Sequence, residues 1–232
     1  MTLSSNKKQM ILLFFFFIIA FFFWDSFVIF PIKIFVVILH EISHGLMAIL
    51  TGGSIVEIQI SPQIGGYCKY LAPQGFFSQI LISSAGYLGS LIFGSTILWI
   101  AIRTQKDRIL TLVIGFFTLI FSYFVFKTGE LFGIIFILSF SVFMIASAFL
   151  LGSLFHDLWL KFLGLTSCLY AIIDIADDLI FRTVPESDAY KISELTGIPS
   201  VAVGGFWMLL ALAWLSFVFY KAFKKPLNKE EK

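Results

Sequence analysis

Ile34-Phe35-Val36-Val37-Ile38-Leu39-His40-Glu41-Ile42-Ser43-His44-Gly45-Leu46-Met47-Ala48-Ile49-Leu50 is an apolar run with three ionisable side chains crowded into five positions. The run is nearly as long as the roughly 20 mostly apolar residues that a membrane-spanning helix needs. An ionised side chain near the middle of a bilayer costs about 2.5–3.5 kcal/mol on insertion scales. Three together are a steep burden unless a partner is present, and a bound metal ion is such a partner. The spacing agrees. His40 and His44 stand at i and i+4, on one helix face, so both imidazoles can point at one ion. Zinc accepts histidine nitrogens and, in a hydrolytic site, keeps a position open for water. Glu41, next to the first histidine, is placed to take a proton from metal-bound water and return it to a leaving amine. The pattern His40-Glu41-Ile42-Ser43-His44 is H-E-x-x-H, whose expected chemistry on a helix is zinc-dependent peptide hydrolysis.

The rest of the chain supports a membrane setting. Of 232 residues, 59% are hydrophobic, 30 are Phe and only 13% are charged, against about 25% charged in soluble domains. So little polar surface cannot cover a water-soluble globule. The net charge of +2 is small, and no basic stripe with interleaved aromatics is present, so no nucleic-acid partner is expected. Cys68 and Cys168 have neither metal-ligand spacing nor a disulfide-framework pattern and read as ordinary thiols. Lys7 and Lys8 precede an apolar run, but no small-residue cleavage site with a polar chain after it marks a signal peptide.

Working outward from the motif, apolar segments over residues 10–30, 34–50, 76–102, 109–126, 131–151, 158–181 and 201–223 are candidate spans. The first is broken only by Asp25, with a joint at Pro31 and Lys33. Residues 51–73 do not fit a helix: Ile55, Val56, Ile58 and Ile60 read as a short strand. Tyr67 to Leu71 is its candidate partner, and Gly65-Gly66 lies near the turn. The polar stretch from Arg182 to Ser200 contains a predicted short helix from Ser187 to Thr196, with Ser187 as N-cap and Gly197-Ile198-Pro199 as the stop. The expected fold is an all-α membrane protein of six to seven transmembrane helices with a short β-hairpin after the motif helix. Residues 1–232 are expected to form a single domain in a multi-pass integral membrane protein, surrounded by lipid bilayer.

A third metal ligand must come from elsewhere, because the position six residues past His44 is Leu50. Asp174, Asp177 and Asp178 share one face near the end of the sixth segment at i, i+3 and i+4. Asp174 is the deepest and is flanked by apolar residues, which makes it the first choice. Asp177 and Asp178 are nearer the polar loop, where an acidic end paired with Arg182 is the competing reading. His156, beside Asp157 in a connection, reads as an interfacial residue, and Glu130 as a solvated loop residue. Asp188, one residue into the short helix, suits the positive end of its dipole and is read as a capping residue. Gly86 and Gly89, with Ser83, Ser84 and Ser90, give the third span a small-residue face expected to pack on the motif helix without taking part in chemistry.

These features occur in an order. His40-Glu41-Ile42-Ser43-His44-Gly45 is followed by Ala48 and Thr51-Gly52-Gly53, then Ser61-Pro62 and Gly65-Gly66, then Ser84-Ala85-Gly86-Tyr87-Leu88-Gly89. Late in the chain come the run from Asp174 to Asp178, Ser187-Asp188-Ala189, and Thr196-Gly197-Ile198-Pro199. At these residues the chain resembles the site-2 protease family of intramembrane zinc metallopeptidases, in particular its small bacterial branch lacking a PDZ domain. The resemblance implies one Zn2+ held by His40, His44 and a late aspartate, with Glu41 as general base. It implies a hairpin lining the substrate path, a membrane-embedded protein or peptide as substrate, and a bacterial cell membrane as location. Larger members carry the late aspartate in an Asn-x-x-Pro…Leu-Asp-Gly setting, whereas Asp174 here lies in Ile173-Asp174-Ile175. Two other functions fit the same residues: a catalytically silent membrane scaffold, and a metal-handling or transport protein in which intramembrane ionisable groups mark an ion path.

Overall fold

The computed structural model describes residues 5–73, 75–177 and 187–224. In chain order its elements are α1 (Ser5–Phe22), α2 (Phe30–Leu50), β1 (Ser54–Ser61), β2 (Gly65–Leu71), α3 (Phe76–Arg103), α4 (Asp107–Phe126), α5 (Leu131–Leu150), α6 (Ser153–Ala176), α7 (Asp188–Thr196) and α8 (Ser200–Phe223). Among the described residues, seven helices, all but α7, are long and apolar enough to cross a bilayer. The chain is a multi-pass integral membrane protein. Side chains such as Phe14, Phe21, Ile120, Leu150 and Leu209, exposed on the protein surface, are the lipid-facing complement of that architecture.

The motif helix α2 is the centre of the bundle. Ile34, Phe35, Val36, Val37, Ile38 and Leu39 are consecutive and all buried, so every side of the helix meets protein, as an all-round apolar helix requires. It packs against α3, α6 and both strands. An aromatic ladder joins it to α5: Phe132, Phe136 and Phe140 stack at 6.1 and 6.2 Å, and Phe140 stacks on Phe35 at 4.7 Å. The most extensive helix pairing among the described residues, α3 on α6, depends on small residues. A Cβ on Gly164 would fall 2.7 Å from the backbone nitrogen of Leu98, and one on Gly94 the same distance from Cβ of Ser167.

The antiparallel hairpin runs in register from Ser54 opposite Leu71 to Ser61 opposite Gly65. A bulge between Ile55 and Glu57 adds one residue to β1. That is why Ile55 and Ile58, three apart, are both buried along with Ile60. β1 is covered by α4 and α5 and β2 lies along α2, so the hairpin is folded into the bundle.

Three expected boundaries move. The first span is Ser5–Phe22 rather than residues 10–30. The chain turns after it, with the Ser26 hydroxyl donating to the Phe23 carbonyl at 2.6 Å. The break therefore precedes Pro31, which sits in the first turn of α2, where its missing N–H leaves nothing unsatisfied. The sixth span starts at Ser153, so His156 and Asp157 are helical. Its expected end at Phe181 lies outside the described residues. The short helix agrees with expectation: Ser187 caps it, its hydroxyl accepting from the Tyr190 N–H at 3.3 Å, and Gly197 ends it at φ 74°.

Candidate metal centre

On α2, His40 and His44 project from one face, one turn apart, with ring centroids 4.8 Å apart. Their orientations are fixed differently. Nδ1–H of His44 donates to the Ile82 carbonyl at 2.7 Å. Because a carbonyl only accepts, the proton is on Nδ1 and the Nε2 lone pair is free in the neutral ring. The ring of His40 meets Tyr87 edge-on at 4.8 Å, and Tyr87 packs in turn on Trp207 at 5.2 Å. Both Nε2 atoms face Asp188. Its Oδ2 is 3.1 Å from His40 Nε2 and 2.9 Å from His44 Nε2.

The three ligand atoms lie within 4.8 Å of one another. Tetrahedral zinc with bonds of about 2.0–2.1 Å sets its ligands about 3.3 Å apart, so the carboxylate already stands near such separations from both nitrogens. Two neutral imidazoles and one carboxylate form a donor set that suits zinc. Gly86 of α3 keeps the space beside them open: a Cβ there would fall 2.3 Å from His40 Nε2 and 2.4 Å from His44 Nε2. These residues fit a zinc ion.

Asp188 is the residue that a sequence reading underrated. It was expected to serve the dipole of α7, yet its carboxylate is directed at the imidazoles. Burial alone would push this carboxyl up. Without an ion, imidazolium N–H groups at His40 and His44 facing it outweigh burial and hold it well below the usual carboxylate range; a bound cation would take the place of those protons. A signal was present: Asp188, Ala189 and Ile192 form the buried side of α7, which puts a carboxylate on the apolar face of an amphipathic helix. Asp174, the expected third ligand, lines the same cavity as the histidines but is not in the set that converges with them. Asp177 also lines the cavity, and Asp178 and Arg182 lie outside the described residues. His156 is buried, with Nδ1 3.2 Å from the Thr111 hydroxyl of α4. It is therefore a packing residue between helices and not an interfacial one. Glu130 is exposed, as expected.

Glu41 is buried and turned toward the hairpin. A Cβ on Gly66 of β2 would come within 3.1 Å of its Cγ and 3.3 Å of its Oε1. The histidines, Glu41, Gly65, Gly66, Tyr70 and Asp188 line a cavity of about 740 Å³ that extends to Trp24, Asp25 and Lys33. Gly89 packs on Ser43, as the small-residue face predicted. Gly86, on that same face, reaches into the candidate centre itself.

A family model described as Peptidase M50B-like matches residues 13–218. The chain belongs to this family. No curated protein and no solved structure matches it. The match agrees with the site-2 protease resemblance, and its span takes in α2, the hairpin and α7. An M50B-like peptidase family and seven apolar helices together identify a membrane protein of a metallopeptidase family.

Proposed function

We propose that this protein is an intramembrane zinc metalloprotease, acting on a membrane-embedded protein or peptide, in which His40, His44 and Asp188 hold one zinc ion and Glu41 is the general base. The observation that carries the reading is the convergence of two imidazole Nε2 atoms on one carboxylate oxygen, at 3.1 and 2.9 Å. When bound, zinc supplies a Lewis acid that polarises the scissile carbonyl and acidifies water. The chain's own residues do the rest. The Ile82 carbonyl holds His44 in the tautomer that presents Nε2 to the ion. Glu41 carries the proton from water to the departing amine nitrogen. Gly66 leaves room for its carboxylate beside β2. The hairpin offers an extended backbone beside the cavity, against which an unwound substrate segment can lie as an added strand. The matched span supports treating the chain as one catalytic domain.

Metal analysis of purified protein in lipid nanodiscs, together with cleavage of a reconstituted single-pass substrate, tests this. One zinc per chain is expected, lost in His40→Ala and His44→Ala, with cleavage absent in both. Zinc-free wild-type protein after purification in zinc-containing buffer would sink the proposal. Metal movement across vesicles without cleavage would favour the metal-handling alternative.

A further inference from the structure

The geometry points to Lys191 as a positioning residue for the third ligand, a role that rests on the zinc reading above. The two oxygens of Asp188 have different partners. Oδ2 faces both imidazoles, at 2.9 and 3.1 Å. Oδ1 accepts from Lys191 Nζ at 3.1 Å. Lys191 is one turn further along α7, at i+3, where side chains meet on a helix surface. Its backbone N–H donates to the Ser187 carbonyl at 3.0 Å, so the capped first turn fixes both ends of the pair. The Asp188 side chain is 7% exposed and the Lys191 side chain 50%. The cation thus reaches into the cavity wall from its exposed rim, as long basic side chains do.

A carboxylate can hold a cation through one oxygen or both. With Oδ1 taken by the ammonium, Asp188 offers Oδ2 alone. A zinc ion held there would meet three protein ligand atoms, with room left for water or substrate. Without Lys191, Oδ1 would be a buried anionic oxygen that turns toward the metal or toward the hydroxyl of Tyr70, which also lines the cavity. Outer partners of this kind are worth roughly 10–100-fold in metal affinity.

The test uses the full chain in nanodiscs and zinc titrated against a chelating dye. Lys191→Met is expected to weaken zinc binding roughly 10–100-fold, and Lys191→Arg, which keeps the cation, to restore it to within a few-fold of wild type. Cobalt(II) substituted for zinc adds a spectroscopic reading: the visible bands of Lys191→Met should weaken toward a five-coordinate pattern while those of Lys191→Arg stay with wild type. The metal-free helical content should be the same in all three, so that weaker binding is not read from an unfolded chain. Wild-type affinity in Lys191→Met, or binding by Lys191→Arg as weak as by Lys191→Met, would overturn the role of Lys191 while leaving the metal centre intact. Absence of zinc from the wild type would overturn both.

Discussion

Gly86 of α3 approaches His40 of α2 so closely that a Cβ on the glycine would stand 2.3 Å from the imidazole Nε2. The neighbour that must yield is the ligand atom itself. Gly86→Ala should therefore lose stoichiometric zinc while keeping its helical content. Metal analysis beside circular dichroism checks this, and a fully zinc-loaded Gly86→Ala protein would contradict it.

The two candidate carboxylates separate by substitution. Asp188→Asn removes the anionic oxygen that faces both imidazoles and should reduce zinc affinity by at least the 10–100-fold expected of an outer partner. Asp174→Asn, altering a cavity wall, should leave affinity within a few-fold of wild type. Chelator competition on the two proteins side by side decides between them, and the reverse order would restore Asp174 as the ligand.

Glu41→Gln keeps the volume and polarity of the side chain but cannot accept the proton. Zinc content should match wild type and the cleavage rate should fall by about 10²–10⁴-fold, the usual range for a general base. Cleavage at the wild-type rate would assign the proton transfer to another group.

Burial pushes the Cys68 thiol up to about 12, with the nearby Glu41 carboxylate adding to the effect. The sign is clear: at pH 8 the group is held as the unreactive thiol, whereas a free cysteine with a pKa of about 8.5 is partly thiolate. In a Cys168→Ala background, alkylation of Cys68 by iodoacetamide at pH 8 should run about a thousandfold slower than that of a free thiol, because only the thiolate attacks. Mass spectrometry of timed samples measures it, and labelling at the free-thiol rate would refute the assignment.

Packing between α3 and α6 gives a prediction with no chemistry in it. A methyl group on Gly164 would meet the Leu98 backbone at 2.7–2.9 Å, where no side chain can swing aside. Gly164→Ala should destabilise the metal-free protein by about 1–3 kcal/mol, as overpacking does. A thermal or denaturant midpoint equal to that of wild type would show that the helices can part there without cost.

How much of this was legible in the sequence follows from the distance over which each feature is specified. His40 and His44 are set by a single helical period, so their convergence could be read directly from the sequence, with Glu41 beside them. The hairpin and the spans followed from apolar runs and glycine punctuation. The break after Phe22 was missed because the Phe-rich run continues past it without a change of hydrophobicity; only Asp25 and Ser26 mark the turn. The approach of Asp188 to the two imidazoles was not legible for a different reason. Ranking acids by depth along the sixth span favoured Asp174, but α7 packs on α3 and α8. That docking brings the first residue of a short, capped helix inward. No local pattern encodes the docking, although the company of Ala189 and Ile192 on the same face hinted at it.

Asp188 follows His40 by 148 positions, and this has a consequence for biogenesis. At about 5–20 residues per second, roughly 7–30 s of synthesis separate the emergence of the motif helix from that of its acidic partner. During that interval the insertion machinery handles a chain with both imidazoles but without the carboxylate that completes the set. Under the proposed function, the metal centre cannot be complete until Asp188 has been made, at position 188 of 232.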